Sequence, residues 1–282
     1  MAERLEIRHR GKVFQVIPGN NREFWETVAR GAWETETFPL FDRFIDKRHS
    51  YIDIGSWVGP TLLYGCQLAK RAYGIEPDPI AYSELAQNVA CNQPLSDNVQ
   101  IFRICIAPQS GKVAFGSRSR GGDSSSSLLF SRGETRWTVD GVCFEDFVRE
   151  NGIDDCTFIK IDIEGGEYLV LPSMAAWIKK HRPTIYLSLH PVFVGDIDGS
   201  GLLRRLRRTL ARLCGILAVV RSLRCYRNFY DPQGRKLRLL RLLWVCLHRT
   251  TFAMVATDED WNAAAMTPGP SESPPAWSPR AT

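Results

Sequence analysis

Two stretches of the chain set carboxylates beside glycines at the ends of short apolar runs, the arrangement from which ligand sites on open α/β sheets are built. The first is Asp53-Ile54-Gly55-Ser56-Trp57-Val58-Gly59, which stands directly before a helical pattern. A strand-to-helix turn at this place offers backbone N–H groups and a helix N-terminus to a ligand above the sheet. Gly55 and Gly59 let the chain turn tightly and the ligand come close. A dinucleotide fingerprint needs glycine where Trp57 stands. Asp53 would repel a phosphate, and it suits a ligand with ammonium and sulfonium charges, such as S-adenosylmethionine.

The second apolar run ends in Gly74-Ile75-Glu76-Pro77-Asp78, with Glu76 seventeen positions beyond Gly59. A carboxylate there lies beside the first crossover and accepts both hydroxyls of a ribose. Asp78 reads as the N-cap of the next helix, with Pro79 at its first position. A third run closes with Cys105-Ile106, so Ile106 is expected to border the adenine ring. In Lys160-Ile161-Asp162-Ile163-Glu164-Gly165-Gly166-Glu167, Asp162 is expected at the carboxyl end of a strand, with Glu164 in the loop after it. Clustered carboxylates near a sulfonium have three uses: holding an acceptor hydroxyl, acting as a base, or binding Mg²⁺. Glu167 is expected only to favour the start of a helix through the macrodipole. His190 ends the next run, Thr184–Leu189, on the same edge, with a pKa suited to taking a proton near neutral pH. Asp162, Glu164 and His190 are therefore the candidate catalytic residues; Asp53, Gly55, Ser56, Gly59, Glu76 and Ile106 are the candidate cofactor residues. The Gly- and Ser-rich stretch 121–127 reads equally as a lid or as a plain loop.

With these residues in view, YIDIGSWVGP, YGIEPDP and FIKIDIEGGE together resemble the FkbM family of S-adenosylmethionine-dependent methyltransferases. The resemblance runs from about Trp33 to His190, and Lys160–Glu167 is its most specific mark. It implies a Rossmann-like class I methyltransferase fold and O-methylation of hydroxyls on sugars, glycolipids, polysaccharide or secondary metabolites. It also implies that Ser56 and Trp57, in place of the Ala-Asn usual there, meet the methionine moiety. The alternatives are an N-methyltransferase on the same fold and a non-catalytic platform at a membrane surface or on RNA.

The elements that must position these residues follow from periodicity. Short apolar strands near 51–54, 72–75, 99–106, 157–162 and 184–189 alternate with helices at Pro60–Lys70, Ile80–Cys91, Phe144–Asn151 and Tyr168–Lys180, the signature of a doubly wound, mostly parallel sheet. A helix after Gly199, strand-like runs at 216–229 and a last strand near 251–256 bring the count to about seven strands. Before them, 4–16 reads as a hairpin around Arg10-Gly11, followed by helices from Glu23 to Arg30 and after Thr37. The chain of 282 residues thus divides into an N-terminal cap over 1–50, a methyltransferase domain over 51–258 and a Pro/Ser-rich disordered tail over 259–282, most biased from 267.

Composition bounds the rest. Eight scattered cysteines without a C-x-x-C pair read as buried free thiols. A charged start without an apolar core segment and the lack of a long apolar run point to the cytoplasm. The net charge of +5 is uneven, because 202–250 holds thirteen Lys and Arg against one acid, Asp231. Within it Leu203, Leu206, Leu210 and Leu213 share a helical face among Arg204, Arg205, Arg207, Arg208 and Arg212. That face is expected to pack on the sheet, with peripheral contact to an anionic membrane through 202–213 as the alternative. Nucleic acid is not an expected partner, since no recognition motif accompanies the charge.

Overall fold

The computed structural model describes residues 3–117, 121–122, 126–130, 135–194 and 202–261. β1 (Leu5–His9) and β2 (Lys12–Val16) form the expected hairpin. Arg10 and Gly11 have φ of 49° and 74°, the left-handed pair that a two-residue turn demands. The helices α1 (Arg22–Ala29) and α2 (Thr37–Phe44) follow. Next come β3 (Ser50–Ile54), α3 (Pro60–Gly65), β4 (Arg71–Ile75), α4 (Pro79–Ala90) and β5 (Val99–Phe102). Beyond a small sheet of β6 (Cys105–Ile106), β7 (Gly111–Ser117) and β8 (Thr135–Val142), the chain continues through α5 (Phe144–Glu150), β9 (Cys156–Ile161), α6 (Glu167–His181) and β10 (Thr184–Leu189). It ends in α7 (Leu202–Leu223), β11 (Asn228–Tyr230), α8 (Leu239–His248) and β12 (Phe252–Thr257).

The main sheet has seven strands in the order β11-β12-β10-β9-β3-β4-β5. β10, β9, β3, β4 and β5 are parallel, whereas β12 runs antiparallel to both β10 and β11. From β3 the chain winds outward to β5, then crosses to build the other half from β9. The winding reverses between β3 and β9, and the crevice that holds ligands in such sheets opens there. Side-chain alternation buries both faces: Ile52, Ile54, Ile159 and Ile161 pack with Val170, Leu171 and Met174 of α6. Tyr51 and Phe158 point the other way, into a cluster that includes Trp25, Phe38 and Phe41 from α1 and α2.

Several expectations need correction. The span 99–106 is two strands, since β6 leaves the main sheet to pair with β8. The run 216–223 is helical: Ile216, Val219 and Leu223 recur at helical spacing and are all fully buried, so β-branched content misled where period did not. They are the inner face of α7, so the leucines expected to pack inward do not. Leu203, Leu206 and Leu210 are 70%, 54% and 51% exposed. The hairpin of β7 and β8 and the helix α8 had no sequence assignment, although Val113 and Phe115, like Trp137 and Val139, alternate at strand period. Order also persists past 258, because the Trp261 ring is buried against Phe44 and Tyr230. The stretch from 262, including the Pro/Ser-rich 267–282, lies outside the described residues.

β3 and β9 meet at their carboxyl ends without room for a side chain. Asp162 N donates to Ile54 O at 3.0 Å, and a Cβ on Gly55, whose φ is +87°, would lie 1.9 Å from Asp162 O. The glycine at 55 is thus required by the protein's own backbone. We expect Gly55→Ala to destabilise the chain by about 3 kcal/mol, from left-handed strain plus the backbone shift. Urea denaturation giving a stability within experimental error of the parent would refute that constraint.

Candidate active site

A cavity of about 360 Å³ opens over the carboxyl ends of β3, β4, β9 and β10. Its floor is set by strand register, which places Asp53 opposite Lys160 on the paired strands β3 and β9. Both side chains are buried. Lys160 Nζ lies 3.2 Å from Asp53 Oδ1 and 3.7 Å from Asp162 Oδ2, and it donates to Gly55 O at 3.2 Å. Thr61 on α3 donates to Asp53 Oδ2 at 2.7 Å. Burial pushes the Asp53 carboxyl up, opposed by the Lys160 charge. Burial disfavours the Lys160 ammonium, yet Asp53, Asp162 and Glu34 outweigh it and raise its pKa.

Glu76 follows β4 and anchors two loops. Its Oε2 accepts from Trp57 N at 2.9 Å and its Oε1 from Asp78 N at 2.8 Å. Burial raises its pKa to about 7 despite these two N–H donors. Trp57 takes a φ of 47°, an uncommon conformation outside glycine that this hydrogen bond helps hold. Asp78 caps α4 as expected, Oδ1 accepting from Ile80 N and Ala81 N. Its Oδ2 accepts from Gly122 N and Ser126 Oγ, while Trp57 Nε1 donates to Gly122 O. The described parts of 121–127 are therefore fastened to Trp57 and Asp78; 123–125 lie outside the described residues.

At the other end, His190 is buried after β10 with its ring between three carboxylates. Nδ1 lies 3.2 Å from Glu167 Oε1, and Nε2 lies 3.8 Å from Asp162 Oδ1 and 3.7 Å from Glu164 Oε2. Burial works against the imidazolium, but the Glu167 hydrogen bond and the charges of Glu167, Asp162 and Glu164 outweigh it and push the pKa up to about 9. Sequence reasoning placed it near neutrality because it did not include Glu167. That residue begins α6 and is fully buried, and its Oε1 also accepts from Ile163 N at 2.9 Å. It orients His190 in addition to standing at a helix start. Its spacing to His190 carries no signal in the sequence.

Of the expected site residues, Gly55, Ser56, Glu76, Ile106, Asp162, Glu164 and His190 line the cavity. Asp53 and Gly59 do not. Asp53 lies below the floor and reaches the cavity through Lys160, while the Cβ direction of Gly59 meets Leu85 at 2.7 Å. The Ser56 hydroxyl donates to Asp53 O at 3.0 Å. Three lining residues come from the first fifty and had no site role in the sequence reading: Phe24, Trp33 and Glu34. Glu34 accepts from Thr37 Oγ1 at 2.8 Å. Burial and then Asp162 raise it to about 7, against the pull of Lys160.

The arrangement has an apolar half of Ile75, Cys105, Ile106, Phe115 and Leu128, and a polar half of Glu34, Lys160, Asp162, Glu164 and His190. Glu76 lines the same cavity from the end of β4. The sequence model of the FkbM methyltransferase domain matches residues 53–215. The chain belongs to the FkbM methyltransferase family. Membership implies S-adenosylmethionine as the methyl donor. Among solved structures, the FkbM methyltransferase of Methylobacillus flagellatus is similar at 20% identity, over 52% of this chain and 36% of that one, with a TM-score of 0.38. An rRNA methylase from Streptococcus thermophilus is similar at 11% identity over 80% and 95% of the two chains, TM-score 0.39. A precorrin-6y C5,15-methyltransferase from Geobacter metallireducens is similar at 12% over 79% and 85%, TM-score 0.37. The match spans about a third of the length of the Methylobacillus protein. No curated protein matches the chain. In this FkbM methyltransferase no helix among the described residues is long and apolar enough to cross a membrane.

The buried pair beneath the cavity yields a double-mutant test. Lys160→Met leaves Asp53 buried without its counter-charge and should cost about 3–5 kcal/mol. Asp53→Asn added to it should recover a large part of that loss. Equal stability of Lys160→Met and the parent in urea would show that the pair does not hold the floor together.

Proposed function

We propose that this FkbM methyltransferase transfers the methyl group to a hydroxyl oxygen of a sugar, glycolipid, polysaccharide or secondary metabolite. The observation that carries this reading is the convergence of Asp162, Glu164 and His190 on the polar end of the cavity that Glu76 enters from the other side. When bound, S-adenosylmethionine supplies an electrophilic methyl group on its sulfonium. The cavity fits such a molecule: the two Glu76 oxygens each accept one backbone N–H, leaving a lone pair on each for a ribose hydroxyl. Ile106 and its apolar neighbours suit an adenine, and the carboxylate-rich end suits positive charge.

The same electrostatics favour a hydroxyl over an amine. Carboxylates around a bound amine hold its proton and suppress its lone pair. A neutral hydroxyl instead donates its hydrogen to them and is left more nucleophilic. At neutral pH His190 is mainly imidazolium, so Asp162 accepts the hydroxyl hydrogen bond while the imidazolium holds the carboxylates in place. As pH rises toward 9 the neutral imidazole appears and serves as the stronger base. Orientation supplies much of the acceleration, and the base roughly 10²–10⁴-fold. A second reading rests on the same side chains, because ligand atoms of Asp162, Glu164 and His190 all lie within 4.8 Å of one another, so that a divalent cation drawing them slightly closer would be held between them.

Two measurements test these roles. Glu76→Gln should weaken S-adenosylmethionine binding by ~1–3 kcal/mol in calorimetry; unchanged affinity removes Glu76 from the cofactor site. Methyl-labelled product from native extract identifies the acceptor, and its chemistry decides between oxygen and nitrogen. With that acceptor, kcat should rise with pH through an apparent pKa near 9. His190→Gln should lower it about 10²-fold or more and abolish the rise. Full activity with an unchanged pH profile in the variant would exclude His190 from proton handling, and loss of turnover in EDTA that Mg²⁺ restores would assign the cluster to a metal.

A further inference from the structure

α7 presents an apolar stripe to solvent over most of its length. Leu203, Leu206, Leu210 and Leu217 are all at least half exposed, and their spacing of three, four and seven residues puts them on one side of the helix. Cys214 is exposed on the same side, and Arg221 and Arg224, both exposed, continue the line. The opposite side carries Ile216, Val219 and Leu223 into the core. The helix is therefore already anchored, and the outer leucines add nothing to that packing. Trp244 on α8, which packs against α7, is exposed as well.

We infer that this outer face docks on an anionic lipid surface. The phosphates of a nucleic acid would engage the arginines and leave a row of leucines on the same face in water. A second copy of this chain would bring two strongly basic segments together, since 202–250 holds thirteen Lys and Arg against Asp231. Anionic headgroups over a hydrocarbon layer answer both features at once. The leucines enter the headgroup boundary while Arg207, Arg221 and Arg224 meet the phosphates. At 22 residues the helix is about 33 Å long and lies along the surface. It is tied to the site, because Arg208 Nη2 donates to Val192 O in the turn that follows His190. A docked α7 thus holds the cavity edge beside the bilayer.

The test uses the full chain without cofactor or acceptor, so its result does not depend on methyl transfer. Cosedimentation is measured with vesicles of mixed phosphatidylserine and phosphatidylcholine, and with phosphatidylcholine alone, at low and high salt. We expect binding to the mixed vesicles only, weakened by salt. The variant Leu203→Ser, Leu206→Ser, Leu210→Ser and the variant Arg207→Gln, Arg221→Gln, Arg224→Gln should each bind about tenfold more weakly or less, with thermal melts like the parent's because these side chains are exposed. Lack of binding to the mixed vesicles, or binding undiminished by the leucine substitutions, overturns the inference. So does a dimer, seen by light scattering, that the leucine variant dissolves, or RNA binding that the leucine variant retains while no vesicle binds.

Discussion

Lys160 is a cation buried at the point where the two halves of the sheet join, and the site depends on its charge being answered from both sides. Asp53 on β3 and Asp162 at the end of β9 do so, within 3.2 and 3.7 Å. Taking these groups out of water is costly, and the mutual attraction offsets that cost only while the geometry holds. The geometry holds because parallel pairing brings Asp53 level with Lys160 and Gly55 lets the backbone of β9 close over β3. Pairing, loop and charge are thus one constraint. The crevice sits where it does because this is where the winding of the sheet reverses.

Above that floor the cavity is short of positive charge. Glu34, Glu76, Asp162 and Glu164 face it against Lys160 and His190. Burial pushes Glu34 and Glu76 up to about 7, and at Glu34 the Asp162 charge adds to it, while the carboxylates around His190 carry it to about 9 against burial. Such a cavity favours cationic contents, since every positive charge admitted relieves repulsion among the carboxylates. The S-adenosylmethionine that family membership implies would bring such a charge on its sulfonium.

Much of this was legible before folding because it is local. The alternation of short strands and helices from Tyr51 to Leu189 fixed the sheet, and Glu76, Asp162 and His190 were placed by standing at strand ends. Asp78 was read as a cap because capping is decided within three residues. What was not legible depends on long-range packing. Glu167 was read as a helix start, and its bond to His190 joins residues 23 apart in sequence. Asp53 was expected at the ligand, but its depth follows from register with Lys160. The face of α7 was assigned inward, since a leucine row is by itself silent about which side the core takes. Ile216, Val219 and Leu223 made a better-placed apolar face on the same helix.

The first fifty residues share a hydrophobic cluster with the sheet and also wall the cavity through Phe24, Trp33 and Glu34. The family match begins only at Asp53. The floor of the cavity and its facing wall therefore come from stretches of sequence with different obligations. The floor is bound by strand register and the buried lysine, so changes there are paid in stability. The wall is carried on short helices and their connecting loop, where an exchange of Phe24 or Trp33 reshapes the opening, while an exchange of Glu34 also changes the charge that Lys160 meets. The leading segment thus shapes the opening through its aromatic rings and reaches the buried lysine through the Glu34 carboxylate.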